Sequence, residues 1–254
     1  MMIYQAEHTK QEGAKQLITD PKIIRFLEKH NLLPELDKDQ LLWLQEAIQD
    51  VKDEDQKRAI IEAVLYVILA HDTHETIDEP NAEFPLKEEE RELVVLAGDY
   101  FSALYYRTLA SQGKIDLIQA IQKGVEETNA AKTNIYQLHV ATDEEFLEEL
   151  IKSNAAITLR FAEYFGNEEA FLHIAKQTLL LKRLLLERQL YETTNTSRLV
   201  GAYDHGYFAK TGQATFAIWL GEIINTVKAE VSGSLTSSAL SAKLVIRIKE
   251  LLAA

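Results

Sequence analysis

Apolar side chains recur at three- and four-residue intervals along almost the whole chain, the spacing of helices laid against a core. The pattern closes up between Ala59 and Ala70, where AIIEAVLYVILA carries a single charge, Glu62. A helix apolar on all sides must be surrounded by others, so this segment is predicted as the central helix. The acidic run Asp53-Glu54-Asp55 just before it suits a helix start, where the macrodipole favours negative charge. Beyond Ala70 the character changes at once to His71-Asp72-Thr73-His74-Glu75, a polar cluster at the end of a buried helix.

The remaining elements follow from the same pattern and its punctuation. Asp20 before Pro21 reads as an N-cap with proline in the first turn, opening a helix to about His30. Leu32–Leu36, with Pro34, is a break, and Leu41–Val51 is helical again. Glu79–Leu86 holds Pro80 and Pro85 and is predicted as an exposed loop. Glu88–Ala110 resumes as helix, with Gly113 suited to its C-terminal cap. Ile115–Tyr136 is amphipathic. Thr142-Asp143-Glu144-Glu145 is a capping box for a helix to Phe165, and Gly166 ends it. Asn167 is placed as the cap of a helix over Glu168–Tyr191. Thr193–Gly206 is polar and predicted as loop. Thr215–Val231 and Ser238–Leu252 close the chain, with Ser232–Ser238 as a hinge. No internal repeat and no sustained heptad is present.

Bulk properties narrow the class. Across 254 residues, 46% are apolar, which means a packed globular chain. Ten Gly and four Pro are few for this length and favour long helices over turn-rich β structure. The absence of cysteine excludes disulfides, thiolate metal sites and cysteine nucleophiles. The N-terminus lacks a cationic start followed by an apolar stretch, and Ala63–Ala70 is too short to span a bilayer. The expectation is a cytoplasmic protein that is not transmembrane. The net charge of −13 is uneven: residues 1–100 hold 23 acidic and 11 basic side chains. Such a surface repels phosphate backbones, so nucleic acid is not an expected partner. It is either a solvated face or one that steers a more basic partner.

The order of motifs in Val64–Ala110 carries a resemblance. The apolar helix ends in His71-Asp72, and the next helix carries Leu96-Ala97-Gly98-Asp99-Tyr100-Phe101 and then Tyr105-Tyr106. This resembles the centre of all-trans polyprenyl diphosphate synthases, where a helix ending in HDDxxD precedes one with a VLxGDF/Y segment. The first motif is altered here: aligned on His71-Asp72, the family's second Asp falls on Thr73 and its last on Thr76. In that family the carboxylates hold magnesium, which neutralises a diphosphate leaving group. Carboxylates at i and i+4 share a helix face and can converge on one ion. Thr76 offers only a neutral hydroxyl there, though Glu75 at i+3 could compensate in part. No Asp-Asp doublet occurs in the chain, so the family's second aspartate-rich motif is missing too.

The resemblance is sharpest to component I, the small subunit of two-component heptaprenyl diphosphate synthases. Asp72-Thr73-His74-Glu75 matches a D-T-H-[DE] tetrad, and Leu96–Tyr106 matches L-A-G-D-Y-[FY]-S-x-L-Y-Y. The match is strong over about 45 residues and fades by about residue 170. Asn154-Ala155-Ala156 stands where catalytic synthases have Lys-Thr-Ala, so the lysine that contacts diphosphate is absent. The arginine pair after the first motif is absent as well. The resemblance implies an all-α fold: one helical domain over residues 1–254 with the isoprenoid synthase architecture, reduced at its C-terminal end. It also implies a regulatory, non-catalytic subunit. The partner would be a catalytic polyprenyl synthase subunit with DDxxD motifs, which would hold the magnesium, this chain holding no cofactor. Isoprenoid diphosphates would be met through the complex, and the product would be a heptaprenyl-type chain for menaquinone. In the family fold the helices corresponding to Ala59–Glu75 and Glu88–Ala110 adjoin the dimer contact.

The candidate residues keep alternatives open. His71, Asp72, His74 and Glu75 are either polar helix-end residues, favoured there by capping and the dipole, or a degenerate metal site. Asp99 lies on the stripe Leu96, Asp99, Ala103, Tyr106, Ala110, which is otherwise apolar or aromatic. A buried carboxylate there needs a partner, so Asp99 either braces helices or sits beside the former active site. Tyr100, Phe101, Tyr105 and Tyr106 are core aromatics, the lining of an isoprenoid cavity, or interface anchors. His-Asp-x-His after an apolar helix also resembles HD-type phosphohydrolases, with His30 and Asp116 as the further ligands required. A synthase with an unorthodox site and a helical binding module are the other readings.

Overall fold

The computed structural model describes residues 17–18, 21–30, 32–33, 35–78, 87–137, 139–140, 142–204, 215–236 and 238–254. Among them there is no strand. The helices are α1 (Pro21–Lys29), α2 (Lys38–Ala47), α3 (Glu54–Glu75), α4 (Glu88–Ser111), α5 (Ile115–Tyr136), α6 (Asp143–Tyr164), α7 (Glu169–Thr194), α8 (Arg198–Asp204), α9 (Phe216–Leu235) and α10 (Ala242–Ala253), with a 3-10 turn at Thr76–Asp78. The predicted Asp20 cap, Pro34 and the loop 79–86 lie outside the described residues. Among the described residues no helix is long and apolar enough to cross a membrane.

The chain divides into two compact units, residues 1–41 with 50–118 and residues 42–49 with 119–254. The first is organised by α3 lying along α4. Every residue from Ala63 to Ala70 is buried, as an all-apolar helix requires. Asp53 starts α3 by accepting the backbone N–H groups of Asp55 and Gln56 at 3.1 and 3.0 Å. These are two of the donors a helix leaves orphaned at its start. The helix runs past the apolar segment to Glu75, so the polar cluster forms its last turn. The buried face of α4 is Val94, Ala97, Gly98, Phe101, Leu104, Tyr105 and Leu109. The Tyr66 hydroxyl donates to the Leu17 carbonyl at 2.5 Å, and the Tyr105 hydroxyl to Ile118 at 3.2 Å.

In the second unit α7 packs on α6 and α9 around a core that includes Trp43, Phe146, Leu179, Leu181, Leu184, Trp219, Ile224 and Ile248. Thr142 caps α6 through the N–H of Glu145, and Gly166 ends the turn after it at φ 77°. Gly113, in the first unit, closes α4 in the same left-handed way at φ 68°. The Glu46 carboxylate accepts from Ser241 twice, from its N–H at 2.7 Å and its hydroxyl at 2.5 Å, tying the end of α2 to the start of α10.

Three local expectations are corrected. Glu168, not Asn167, caps α7. The Asn167 amide instead donates to the carbonyls of Ala47 and Ala162, both at 2.9 Å. The predicted loop Thr193–Gly206 contains α8, with Leu199 and Tyr203 buried. The expected hinge from Ser232 is largely helix, because α9 continues to Leu235 and anchors Val231 in the core.

Candidate functional site

The last turns of α3 hold His71, Asp72, His74 and Glu75, all half-buried, around a buried Thr73. Two threonines stand where the resemblance places metal-binding carboxylates, and both turn onto their own helix. The Thr73 hydroxyl donates to the Leu69 carbonyl at 2.7 Å, and the Thr76 hydroxyl to the Thr73 carbonyl at 2.8 Å. Farther along, the Asn154 amide donates to the Leu179 carbonyl at 3.3 Å, joining α6 to α7. Each substituted side chain has thus become part of the helical scaffold.

The two motifs of the first unit meet at Gly98. A Cβ there would lie 2.4 Å from His74 ring atoms, so the missing side chain is what lets the imidazole rest on α4. His74 Nε2 then stands 3.8 Å from Asp99 Oδ1. Sequence reading singled out both residues but missed their contact. A glycine inside a helix, which costs about 1 kcal/mol against alanine, was the signal of a close approach.

Asp99 is not the buried carboxylate expected of its stripe; its side chain is 67% exposed. Leu96, Ala103, Tyr106 and Ala110 are exposed beside it. The aromatic cluster therefore splits. Phe101 and Tyr105 are fully buried, Tyr100 is half-buried with its ring 5.7 Å from Phe101, and Tyr106 faces outward. Deeper along the same helix pair, burial raises the Glu62 carboxyl above its ordinary range, against the pull of Arg58. Burial also raises the Tyr66 phenol, helped by Glu62 and opposed by Arg107.

Among the described residues no three His, Asp or Glu side chains gather where one ion could be held. Asp72 and Glu75, with both neighbouring hydroxyls committed to backbone, do not make the donor set a magnesium clamp requires. The phosphohydrolase arrangement is not assembled either. His30 is exposed and stacks on Phe26 of its own helix at 4.8 Å, and Asp116 is exposed.

The family of heptaprenyl diphosphate synthase subunit 1 matches residues 24–235. The chain belongs to this family. It is 31% identical over 143 residues to heptaprenyl diphosphate synthase component 1 of Geobacillus stearothermophilus, a match covering 56% of this chain and 62% of that protein. The chain therefore aligns with under two thirds of that relative's length. Solved structures place the fold. A geranyltransferase from Legionella pneumophila superposes with a TM-score of 0.61 at 15% identity, covering 99% of this chain and 97% of its own. A geranyltranstransferase from Methanosarcina mazei gives 0.58 at 14%, covering 98% and 95%. A mint heterotetrameric geranyl pyrophosphate synthase gives 0.53 at 15%, covering 99% and 100%. The protein thus has the all-α isoprenoid synthase fold.

Proposed function

We propose that this chain is the regulatory, non-catalytic subunit of a two-component trans-polyprenyl diphosphate synthase. The observation that carries the reading is the fate of Thr73 and Thr76. At positions where prenyl transfer needs carboxylates on magnesium, this chain has hydroxyls already spent on the carbonyls of Leu69 and Thr73. Prenyl transfer develops charge on a diphosphate leaving group, and metal-bound carboxylates are what stabilise it. The chain keeps the fold and lacks that equipment. Its relative is named as one component, which supports a second component carrying DDxxD motifs and magnesium. This chain would need no cofactor of its own and would meet isoprenoid diphosphates through the complex. It would stabilise the catalytic subunit and help to set a heptaprenyl-type product, for menaquinone side chains made in the cytoplasm.

The test is reconstitution. Purified chain supplied with farnesyl diphosphate, radiolabelled isopentenyl diphosphate and magnesium is expected to give no product. Addition of the DDxxD component is expected to give long-chain product that neither yields alone. Elongation by this chain alone would overturn the reading.

A further inference from the structure

Charge changes sign along the chain. Residues 1–175 hold 34 acidic and 17 basic side chains, whereas residues 176–254 hold 6 acidic and 10 basic. Part of that basic excess is gathered on α10. Leu244, Ile248 and Leu251 are buried and fix the inner face of this helix in the core. The Ser241 hydroxyl caps its first turn, accepting from the Leu244 N–H at 3.5 Å, and Ser241 is in turn held by Glu46. The outer face is therefore fixed too. Helical geometry puts Ala242, Ile246 and Ala253 at its centre, and all three are exposed. Lys249 flanks them on one side, Lys243 and Arg247 on the other. Arg188 of α7 extends the second flank, because its guanidinium donates to the Ala254 carbonyl at 2.8 Å. The acid of this helix, Glu250, is paired with Arg247 at 3.0 Å.

Ile246 is the odd member of this surface, 60% exposed between rows of cations. A lone exposed isoleucine is ordinary. One bracketed by cations on both flanks calls for hydrocarbon at its centre and anions at its edges. A bilayer with anionic headgroups offers both within a shallow depth. A protein partner fits less well, because lysine is depleted from protein–protein interfaces. Nucleic acid fits less well too: phosphates would answer the lysines, but this face has no aromatic to stack on a base and gives Ile246 no contact. The acidic excess elsewhere does not forbid such docking, since exposed charges beyond a Debye length of about 8 Å are largely screened at physiological salt.

We propose that the outer face of α10 docks the protein on an anionic lipid bilayer, with Ile246 entering the headgroup region and Lys243 and Lys249 on lipid phosphates, supported by Arg188 and Arg247. The docking is peripheral. Its purpose rests on the two-component reading: a long polyprenyl diphosphate carries a tail that water does not dissolve, and an enzyme seated on a bilayer delivers that tail directly into it. The docking itself belongs to this chain and is read on it without the second component.

Purified chain is sedimented with vesicles of phosphatidylglycerol and phosphatidylcholine, and with vesicles of phosphatidylcholine alone, at low and high salt. Binding is expected to the anionic vesicles only, and to fall as salt rises. Each lysine near such a surface contributes roughly fivefold in affinity, so Lys243→Gln with Lys249→Gln is expected to weaken binding about 25-fold. Ile246→Asp is expected to abolish it. Ile246→Trp is expected to strengthen it and to shift its emission to the blue on anionic vesicles, because tryptophan suits the membrane interface. Circular dichroism verifies the fold of each variant. Absence of binding to anionic vesicles, or binding that none of these changes alters, would overturn the proposal. So would a lysine-pair variant that binds vesicles as before but no longer associates with the second component or with itself, which would assign the face to a protein. Each of these results leaves reconstituted activity, and with it the two-component reading, standing. Failed reconstitution with vesicle binding intact would count against that reading alone.

Discussion

At position 73 the side chain belongs to the scaffold of α3. Thr73 is 4% exposed and its hydroxyl is bonded to Leu69. Thr73→Asp restores the family's carboxylate in sequence but places it in an apolar interior without a cation. We expect it to lose roughly 2 kcal/mol or more of stability, with no recovery when magnesium is added. Urea denaturation with and without the ion reads this out; a magnesium-dependent gain in midpoint would show a latent site. Glu149 behaves in the opposite sense. Burial pushes its carboxyl up from the ordinary 4.5, but hydrogen bonds from Lys152 and Asn134 outweigh burial and lower it. The folded state therefore holds this proton less tightly than the unfolded chain. Its stabilisation is complete above the unfolded value and is lost as pH falls through the folded one. Glu149→Gln should cost about 1 kcal/mol at neutral pH, less in high salt because the Lys152 side chain is 45% exposed. The difference from wild type should vanish in strong acid. A gap in urea midpoint that persisted there would assign the effect to packing instead.

Two glycines show how helices read each other. A Cβ on Gly124 would meet the Ile157 Cα at 2.8 Å and the Ala156 carbonyl at 3.0 Å, both backbone of α6. Backbone cannot step aside, so overpacking of about 1–3 kcal/mol outweighs the ~1 kcal/mol that alanine gains in helix propensity. Gly124→Ala should lower the melting temperature. The clash at Gly98 is with the His74 ring, the end of a side chain that can rotate away. Gly98→Ala should be within about 1 kcal/mol of neutral while its His74 ring resonances shift in NMR spectra. Equal destabilisation by the two changes would refute the distinction. The helices themselves were legible wherever local chemistry sets a boundary. Thr142, Gly113 and Gly166 each stop or start an element as their side chains or backbone freedom dictate. What failed to show depends on tertiary contact. α8 forms in a polar stretch because Leu199 and Tyr203 find a core, and α9 runs through Ser232 and Gly233 because Val231 is anchored. The faces of α4 were misread for a related reason. Both carry apolar residues at helical spacing, so pattern alone could not say which turns inward.

At the scale of the whole molecule, fold and family could be read from about 45 residues because the motif-bearing helices α3 and α4 lie along each other and organise their unit. The site could be read only as a set of residues. Whether Thr73 faced a metal or its own helix depends on a rotamer that sequence does not specify. The remaining question is where the chemistry resides, and Asp72 poses it most directly. It is the surviving carboxylate of the altered motif, half-buried beside Glu75 at the end of α3. If the DDxxD component performs the reaction, Asp72 touches no reacting atom. Its loss then removes no interaction made only in the transition state. Asp72→Ala in an assembled complex should leave kcat/KM within about threefold of wild type, under ~0.7 kcal/mol of barrier. Alanine at an aspartate of the partner's motif should remove activity by orders of magnitude. Assembly must be verified for each variant by sedimentation, so that loss of contact is not taken for loss of chemistry. Abolished turnover in an intact Asp72→Ala complex would mean that this chain contributes a catalytic group, and that the active site is shared between the subunits.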